Sequence, residues 1–265
     1  MKHIAFFITH TTLTEEHCDL TFRSIQNQST AHKFNKLYIY NTHSHELSND
    51  TIIKLYNAYT LSDFFLTVEV LPYDESSHKS LGQDITNIKN YCKSKYSSED
   101  RILILKSDCL LSKNYFDVLF HLPPGPVYFT APFICAKKRV ENHEILEYVM
   151  RDTYIPSDAI TFFVEDTQHS SINDFTNRKD VRITDQTIKF TSCYVINDFS
   201  CHVMSIQLLD HVIIQNQTWG GINLKNLLPY FIETDRCFVV HKYHNIISIN
   251  RSTQREGPVE DWLLS

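Results

Sequence analysis

The stretch Arg101-Ile-Leu-Ile-Leu-Lys-Ser-Asp-Cys-Leu-Leu-Ser-Lys-Asn-Tyr115 decides how this chain reads. The apolar run Ile102 to Leu105 is what a strand covered on both faces requires, and it leads straight into the polar triplet Lys106-Ser107-Asp108. A short helix is expected next, with Tyr115, Phe116 and Leu119 on its apolar side. Ligands of open α/β sheets bind beyond the carboxyl ends of the strands, which puts Lys106 and Asp108 at the mouth of a ligand site.

Upstream of this stretch the chain alternates apolar β-rich runs with segments of helical spacing. Ile4 to Ile8 reads as a strand, and Thr14 to Gln28 as a helix whose Cys18, Phe22 and Ile25 share one stripe. Lys36 to Tyr40, Asp50 to Tyr59, Phe64 to Leu71 and Leu81 to Tyr96 continue the order strand, helix, strand, helix. Such alternation predicts a parallel sheet covered by helices. Downstream the rhythm changes. Leu122-Pro-Pro-Gly-Pro126 is a rigid break before a strand at Val127 to Phe133, and the polar stretch 165–180 reads as a surface loop. A strand at Thr187 to Ile196, helices at His202 to Ile214 and Leu224 to Tyr230, and a strand at Cys237 to His241 complete a mixed second half. With no linker or repeat in evidence, residues 1–265 are expected to form a single domain.

Composition narrows the chemistry. The 265 residues are 42% hydrophobic and 21% charged, as in ordinary folded proteins. They include only five glycines, at 82, 125, 220, 221 and 257. From those positions no dinucleotide fingerprint, Walker loop or G-x-S-x-G elbow can be drawn, so phosphates would have to be met by a metal ion or by basic side chains. The net charge of −6 and the absence of a long Lys/Arg run argue against nucleic acid. No apolar run reaches a membrane-spanning length, and a cytoplasmic address is expected. Seven widely spaced cysteines without a C-x-x-C pair predict reduced core thiols. His143-Glu144 begins like a zinc-protease motif, but Glu147 stands where the second histidine belongs.

The strand, the polar triplet and the Leu-Ser-x-x-Tyr-Phe segment that follows resemble the metal-binding stretch of GT-A fold glycosyltransferases, whose triplet is usually Asp-x-Asp. The resemblance runs in order along most of the chain and implies an α/β fold of GT-A type. A nucleotide-sugar-binding half, 1–108, would be continuous with an acceptor-binding half and C-terminal tail, 109–265. It implies that Thr9, His10 and Thr11 meet the base and ribose of a UDP- or GDP-sugar, and that Asn41 stands where the family usually has an acid beside the nucleoside. Lys79 and Asp84, in the segment His78 to Asp84, would lie against the nucleotide or sugar, with Lys106 and Ser107 beside them. Val239-Val-His-Lys-Tyr-His244 is similar to the strand exit from which a histidine completes the metal site. The tail, with Arg251 and Arg255, resembles small transferases of large algal DNA viruses, which would make the address the host cytoplasm.

Chemistry and resemblance agree in part. A sugar diphosphate leaving group gains negative charge as its bond to the anomeric carbon breaks, and a divalent cation such as Mn²⁺ or Mg²⁺ would stabilise it as a Lewis acid. Asp108 with His241 or His244 could hold that ion, and Arg251 and Arg255 could close over the diphosphate as paired donors. Lys106, however, replaces the usual first acid, and its ammonium repels a cation. Either the ion is held by Asp108, a histidine and the diphosphate, or Lys106 supplies part of its charge, or activity has been lost. A helix N-cap over Cys109 to Leu111 is the structural alternative for Asp108. Asp198 and Asp158 are the candidate catalytic bases, because Gln217-Thr-Trp-Gly-Gly-Ile-Asn223 contains no acid. Trp219, Gly220 and Gly221 are candidate sugar contacts through an aromatic face and close backbone approach. The expected acceptor is a hydroxyl of a glycan or glycoconjugate. A silent glycan- or protein-binding relative is one rival. A sugar nucleotidyltransferase is another, although His10-Thr-Thr-Leu-Thr14 lacks the Gly-rich basic loop it needs.

Overall fold

The computed structural model describes residues 1–9, 15–42, 47–72, 81–107, 109–131, 133–136, 160–164, 181–182, 189–195, 201–214, 222–223, 225–232, 236–237 and 239–241. The first elements are β1 (His3–Thr9), α1 (Glu15–Gln26), β2 (Lys36–Asn41), α2 (Asn49–Ala58), β3 (Val68–Val70), α3 (Leu81–Lys95) and β4 (Arg101–Lys106). After β5 (Cys109–Leu111) and α4 (Tyr115–Phe120) come the strands β6 (Tyr128–Phe129), β7 (Phe133–Ala136), β8 (Ile160–Val164), β9 (Val181–Arg182) and β10 (Lys189–Val195). Then follow β11 (Cys201–Ser205), β12 (Ile213–Ile214), β13 (Ile222–Asn223), β14 (Phe231–Ile232) and β15 (Val239–His241).

The fold is α/β. Its main sheet has seven strands in the order β14-β6-β11-β4-β1-β2-β3. β3, β2, β1 and β4 are mutually parallel, β11 runs against both β4 and β6, and β14 is parallel to β6. Alternation along the strands explains why their apolar runs are continuous. Ala5, Phe7, Leu37, Ile39, Leu103 and Leu105 face one way and pack with Cys18, Phe22 and Ile25 of α1 and with Ile52 and Tyr56 of α2. Ile4, Phe6, Ile8, Tyr38, Tyr40, Ile102 and Ile104 face the other way and pack with Ile85, Ile88 and Cys92 of α3. Helices therefore cover both faces, and each buried Leu, Ile or Phe contributes about 1.5–3 kcal/mol. The second sheet has the order β5-β15-β7-β10-β8, with β9 beside β10.

Several boundaries differ from expectation. The helix expected at His202 to Ile214 is β11 followed by a 3₁₀ turn, Ile206–His211, and then β12. All five residues of β11 are buried, because the strand lies between β4 and β6, and a short apolar run of this kind has no local feature separating helix from strand. The single strand expected over Val127 to Phe133 is two strands in different sheets, β6 and β7. The third strand is shortened to Val68–Val70, with Phe65 making only an isolated bridge to Phe34. The helix expected near Leu224 is a 3₁₀ turn, Lys225–Tyr230, with Pro229 inside it. Cys109 to Leu111 is strand β5 rather than a helical turn, which removes the N-cap role considered for Asp108. The rigid break at 122–126 turns through Gly125, whose φ of +96° lies in the region that glycine alone adopts cheaply. Cys18, Cys92, Cys109, Cys201 and Cys237 are buried free thiols, as composition predicted for the cysteines described.

Candidate functional site

From β1 the chain moves outward to β2 and β3, and then returns through α3 to β4 on the other side of β1. The strand order reverses between β1 and β4, and a crevice at the carboxyl ends is the expected ligand site of such a sheet. The strand ends at this edge are Thr9, Asn41 and Thr42, Leu71, and Lys106 with Ser107. The 15-residue helix α3 begins at the same edge, because it runs back across the sheet before β4. Its opening turn carries Asp84.

Two polar groupings lie on opposite faces of this edge. Thr9 pairs in register with Asn41, on the α1–α2 face. The Thr9 hydroxyl donates to Asn41 Oδ1 at 2.8 Å and accepts from the Thr42 amide at 2.8 Å, and the Thr42 hydroxyl donates to the Thr9 carbonyl. Asn41 Nδ2 donates to the Leu47 carbonyl and to Asn49 Oδ1, each at 2.8 Å. Both amide hydrogens of Asn41 are thus engaged inside the protein, tying the exit of β2 to the start of α2. An aspartate could not make these two bonds.

On the other face Lys106, Ile8 and Tyr40 form a row across β4, β1 and β2. Lys106 is only 4% exposed and Asp84 only 1%. The Tyr40 hydroxyl, which hydrogen-bonds Asp84, also accepts from Asn87 Nδ2 at 3.2 Å, and Gln83 Nε2 donates to Asn87 Oδ1 at 3.1 Å. Burial, with the Asp84 charge adding to it, pushes the Tyr40 phenol up to about 12. The phenol is therefore a hydrogen-bond donor at neutral pH and holds the carboxylate in place. Ser107 donates its amide to the Ile8 carbonyl at 3.0 Å, its carbonyl accepts from the Thr21 hydroxyl at 2.7 Å, and its own hydroxyl is buried without a hydrogen-bond partner among the described residues.

The second sheet meets the first at this edge. β15 runs antiparallel to β5, with His241 directly opposite Cys109, the residue that follows Asp108. Cys201, the first residue of β11, pairs with Leu105, so that strand also starts beside the end of β4.

Thr9, Asn41, Asp84, Lys106 and Ser107 are brought together at one edge, and the backbone of His241 lies in the ladder beside Cys109. His10, Thr11, Lys79, Asp108, Asp158, Asp198, Trp219, Gly220, Gly221, His244, Arg251 and Arg255 lie outside the described residues, as do 165–180 and His143-Glu144. The side chain of His241 is also outside them. Tyr40, Thr42, Asn49 and Asn87 were not singled out from sequence. Their partners lie up to 47 positions away, and only the strand register reveals them.

The described side chains do not fit a divalent cation. No three His, Cys, Asp or Glu groups among them converge on one point. Asp84 is engaged by Tyr40, and the ammonium of Lys106 has no lone pair to offer and repels a cation. No helix among the described residues is long and apolar enough to cross a membrane.

No family model matches the chain, and no curated protein does. Among solved structures it is similar to a mannosyltransferase of Pyrobaculum calidifontis in complex with GDP-mannose and Mn²⁺, at 9% identity and TM-score 0.47, covering 98% of this chain and 67% of that one. GalNAc-T7 with UDP, GalNAc and Mn²⁺ is similar at 10% identity and TM-score 0.46, covering 91% of this chain and 44% of that one. S. aureus TarS 1–349 with UDP is similar at 12% identity and TM-score 0.41, covering 100% of this chain and 70% of that one. This chain spans less than half of the GalNAc-T7 chain. At TM-scores below 0.5 these likenesses assign no activity to it.

Proposed function

We propose that the chain is a GT-A type glycosyltransferase that moves a sugar from a UDP- or GDP-sugar to a hydroxyl of a glycan or glycoconjugate. The observation that carries the reading is the meeting of β15 with β5, His241 against Cys109, next to the strand end Lys106-Ser107 at the reversal of strand order. In this reading residues 1–265 act as one domain, with 1–108 binding the donor and 109–265 the acceptor. The anomeric C–O bond breaks with its electron pair passing to the diphosphate, and the acceptor oxygen forms the new bond and gives up its proton. Asp198 or Asp158 would take that proton within about 3 Å. Thr9, His10 and Thr11 would line the nucleoside pocket, and Asn41 would hold Thr9 rather than touch the ligand through its amide hydrogens. Asp84, an acceptor, suits sugar hydroxyls. Lys79, Lys106, Arg251 and Arg255 suit the diphosphate, with Ser107 beside them. Trp219 would stack against the sugar, and Gly220 and Gly221 would let the backbone approach it closely. Asp108, His241 and His244 are the groups of this chain from which a Mn²⁺ or Mg²⁺ site would be drawn. The likeness of the tail to algal-virus transferases belongs to the same reading, with the host cytoplasm as the address.

A catalytically silent glycan- or protein-binding relative is the second reading, motivated by Lys106 in place of the usual acid. Release of free nucleoside diphosphate from a panel of UDP-, GDP- and CDP-sugars separates the two. The transferase reading expects turnover with one donor and loss of at least a hundredfold in Asp108→Ala. No turnover with any donor, or turnover indifferent to Asp108→Ala, contradicts it.

A further inference from the structure

Thr21 and Ser24 on α1, and Gln28 just beyond its end, recur at helical spacing beside the apolar stripe of Cys18, Phe22 and Ile25. All three are buried. A polar side chain in such a place costs free energy unless its hydrogen bonds are made. Here they are made to one stretch of backbone. The Thr21 hydroxyl donates to the Ser107 carbonyl at 2.7 Å, and Ser24 Oγ accepts from the Leu111 amide at 3.1 Å while donating to the Thr21 carbonyl at 2.7 Å. Gln28 Nε2 donates to the Ser112 carbonyl at 2.8 Å, and Gln28 Oε1 accepts from the Phe116 amide at 2.9 Å. The Ser29 amide adds a bond to the Lys113 carbonyl at 2.8 Å. Among the described strands β5 pairs only with β15, so on its other side these groups satisfy backbone that a neighbouring strand would otherwise have to meet.

The stretch held in this way, Ser107 to Phe116, begins at the end of β4, where the strand order reverses, and carries β5 to its meeting with β15. Resting on the glycosyltransferase reading, we propose that Thr21, Ser24 and Gln28 are positioning residues of the donor site, which fix the backbone following Lys106 from behind without touching the ligand. The nucleoside side of the site stands on β1 and β2, which these bonds do not reach. A shift of the 107–116 backbone therefore misplaces the groups that meet the charge of the leaving diphosphate, and it lowers kcat more than it changes KM.

Turnover of the donor found in the UDP-, GDP- and CDP-sugar panel tests the assignment, at a temperature where urea unfolding shows each variant to be folded. Thr21→Val keeps the shape and loses the hydroxyl, so kcat should fall at least tenfold with the donor KM within threefold of wild type. Thr21→Ser keeps the hydroxyl and loses a buried methyl group. It should be less stable than wild type and yet hold kcat within threefold. A merely structural role predicts that both folded variants turn over like wild type, and that result overturns the proposal. So does a Thr21→Ser variant as slow as Thr21→Val. Should Thr21→Val fail to fold, Ser24→Ala, which releases the Leu111 amide, decides by the same tenfold loss in the same assay. If wild type turns over no donor, the glycosyltransferase reading fails and this assignment fails with it, whereas wild-type turnover beside an unimpaired Thr21→Val removes the assignment alone.

Discussion

Asn41 shows how much one side chain can reveal about a site. Its two amide hydrogens are given to the Leu47 carbonyl and Asn49 Oδ1, and its oxygen accepts from Thr9. In Asn41→Asp a carboxylate would face two acceptors in a position only 1% exposed, and the cost is expected to be about 2–3 kcal/mol in urea unfolding. An aspartate variant as stable as wild type would mean that the amide is not committed inside the protein. The sequence identified position 41 as the end of a strand at the ligand edge. It could not reveal the direction in which the amide is spent, because Thr9 lies 32 positions away and is brought near only by the β1–β2 register. Lys106 was legible in a different way. Its charge follows an apolar strand directly, so its position in the chain and its position at the edge are the same observation.

At the scale of elements, β1 and β4 are linked at their amino ends as well as at the ligand edge. His3 pairs in register with Arg101, whose guanidinium donates to the carbonyls of Leu122 and Pro123 just beyond α4. The His3 ring packs edge-on against Phe120 at 4.9 Å. Burial, reinforced by the Arg101 charge, lowers the His3 imidazole from 6.5 to about 4. Above pH 6.5 the ring is neutral whether the chain is folded or unfolded, and it makes no difference to stability. Between pH 6.5 and 4 the unfolded chain binds a proton that the folded chain refuses, so stability falls as pH falls. With allowance for partial exposure, the fall should be about 1–2 kcal/mol. His3→Phe should flatten that part of the stability profile measured by urea unfolding, whereas an unchanged slope would remove His3 as its source. Elements with both faces covered, such as β1 and β4, were readable from their apolar runs alone. β11 was not, because its five buried residues are dictated by β4 and β6, which lie far from it in sequence.

For the whole molecule, the parallel pairing of β1, β2, β3 and β4 under helices follows from strand and helix alternation and was legible, whereas their order β3-β2-β1-β4 came only from the structure. The second sheet was not, since β15 inserts between β5 and β7 from more than 100 positions further along the chain. Their meeting point beside the end of β4 ties the two sheets to one candidate donor site. Hydrogen–deuterium exchange of the full chain, with and without the nucleoside diphosphate that binds it, tests that claim most directly. The account predicts added protection at the carboxyl ends of β1, β2 and β4, in peptides covering 5–9, 38–42 and 103–111, together with 237–241. Protection confined to other parts of the chain, or no change at saturating ligand, would contradict it.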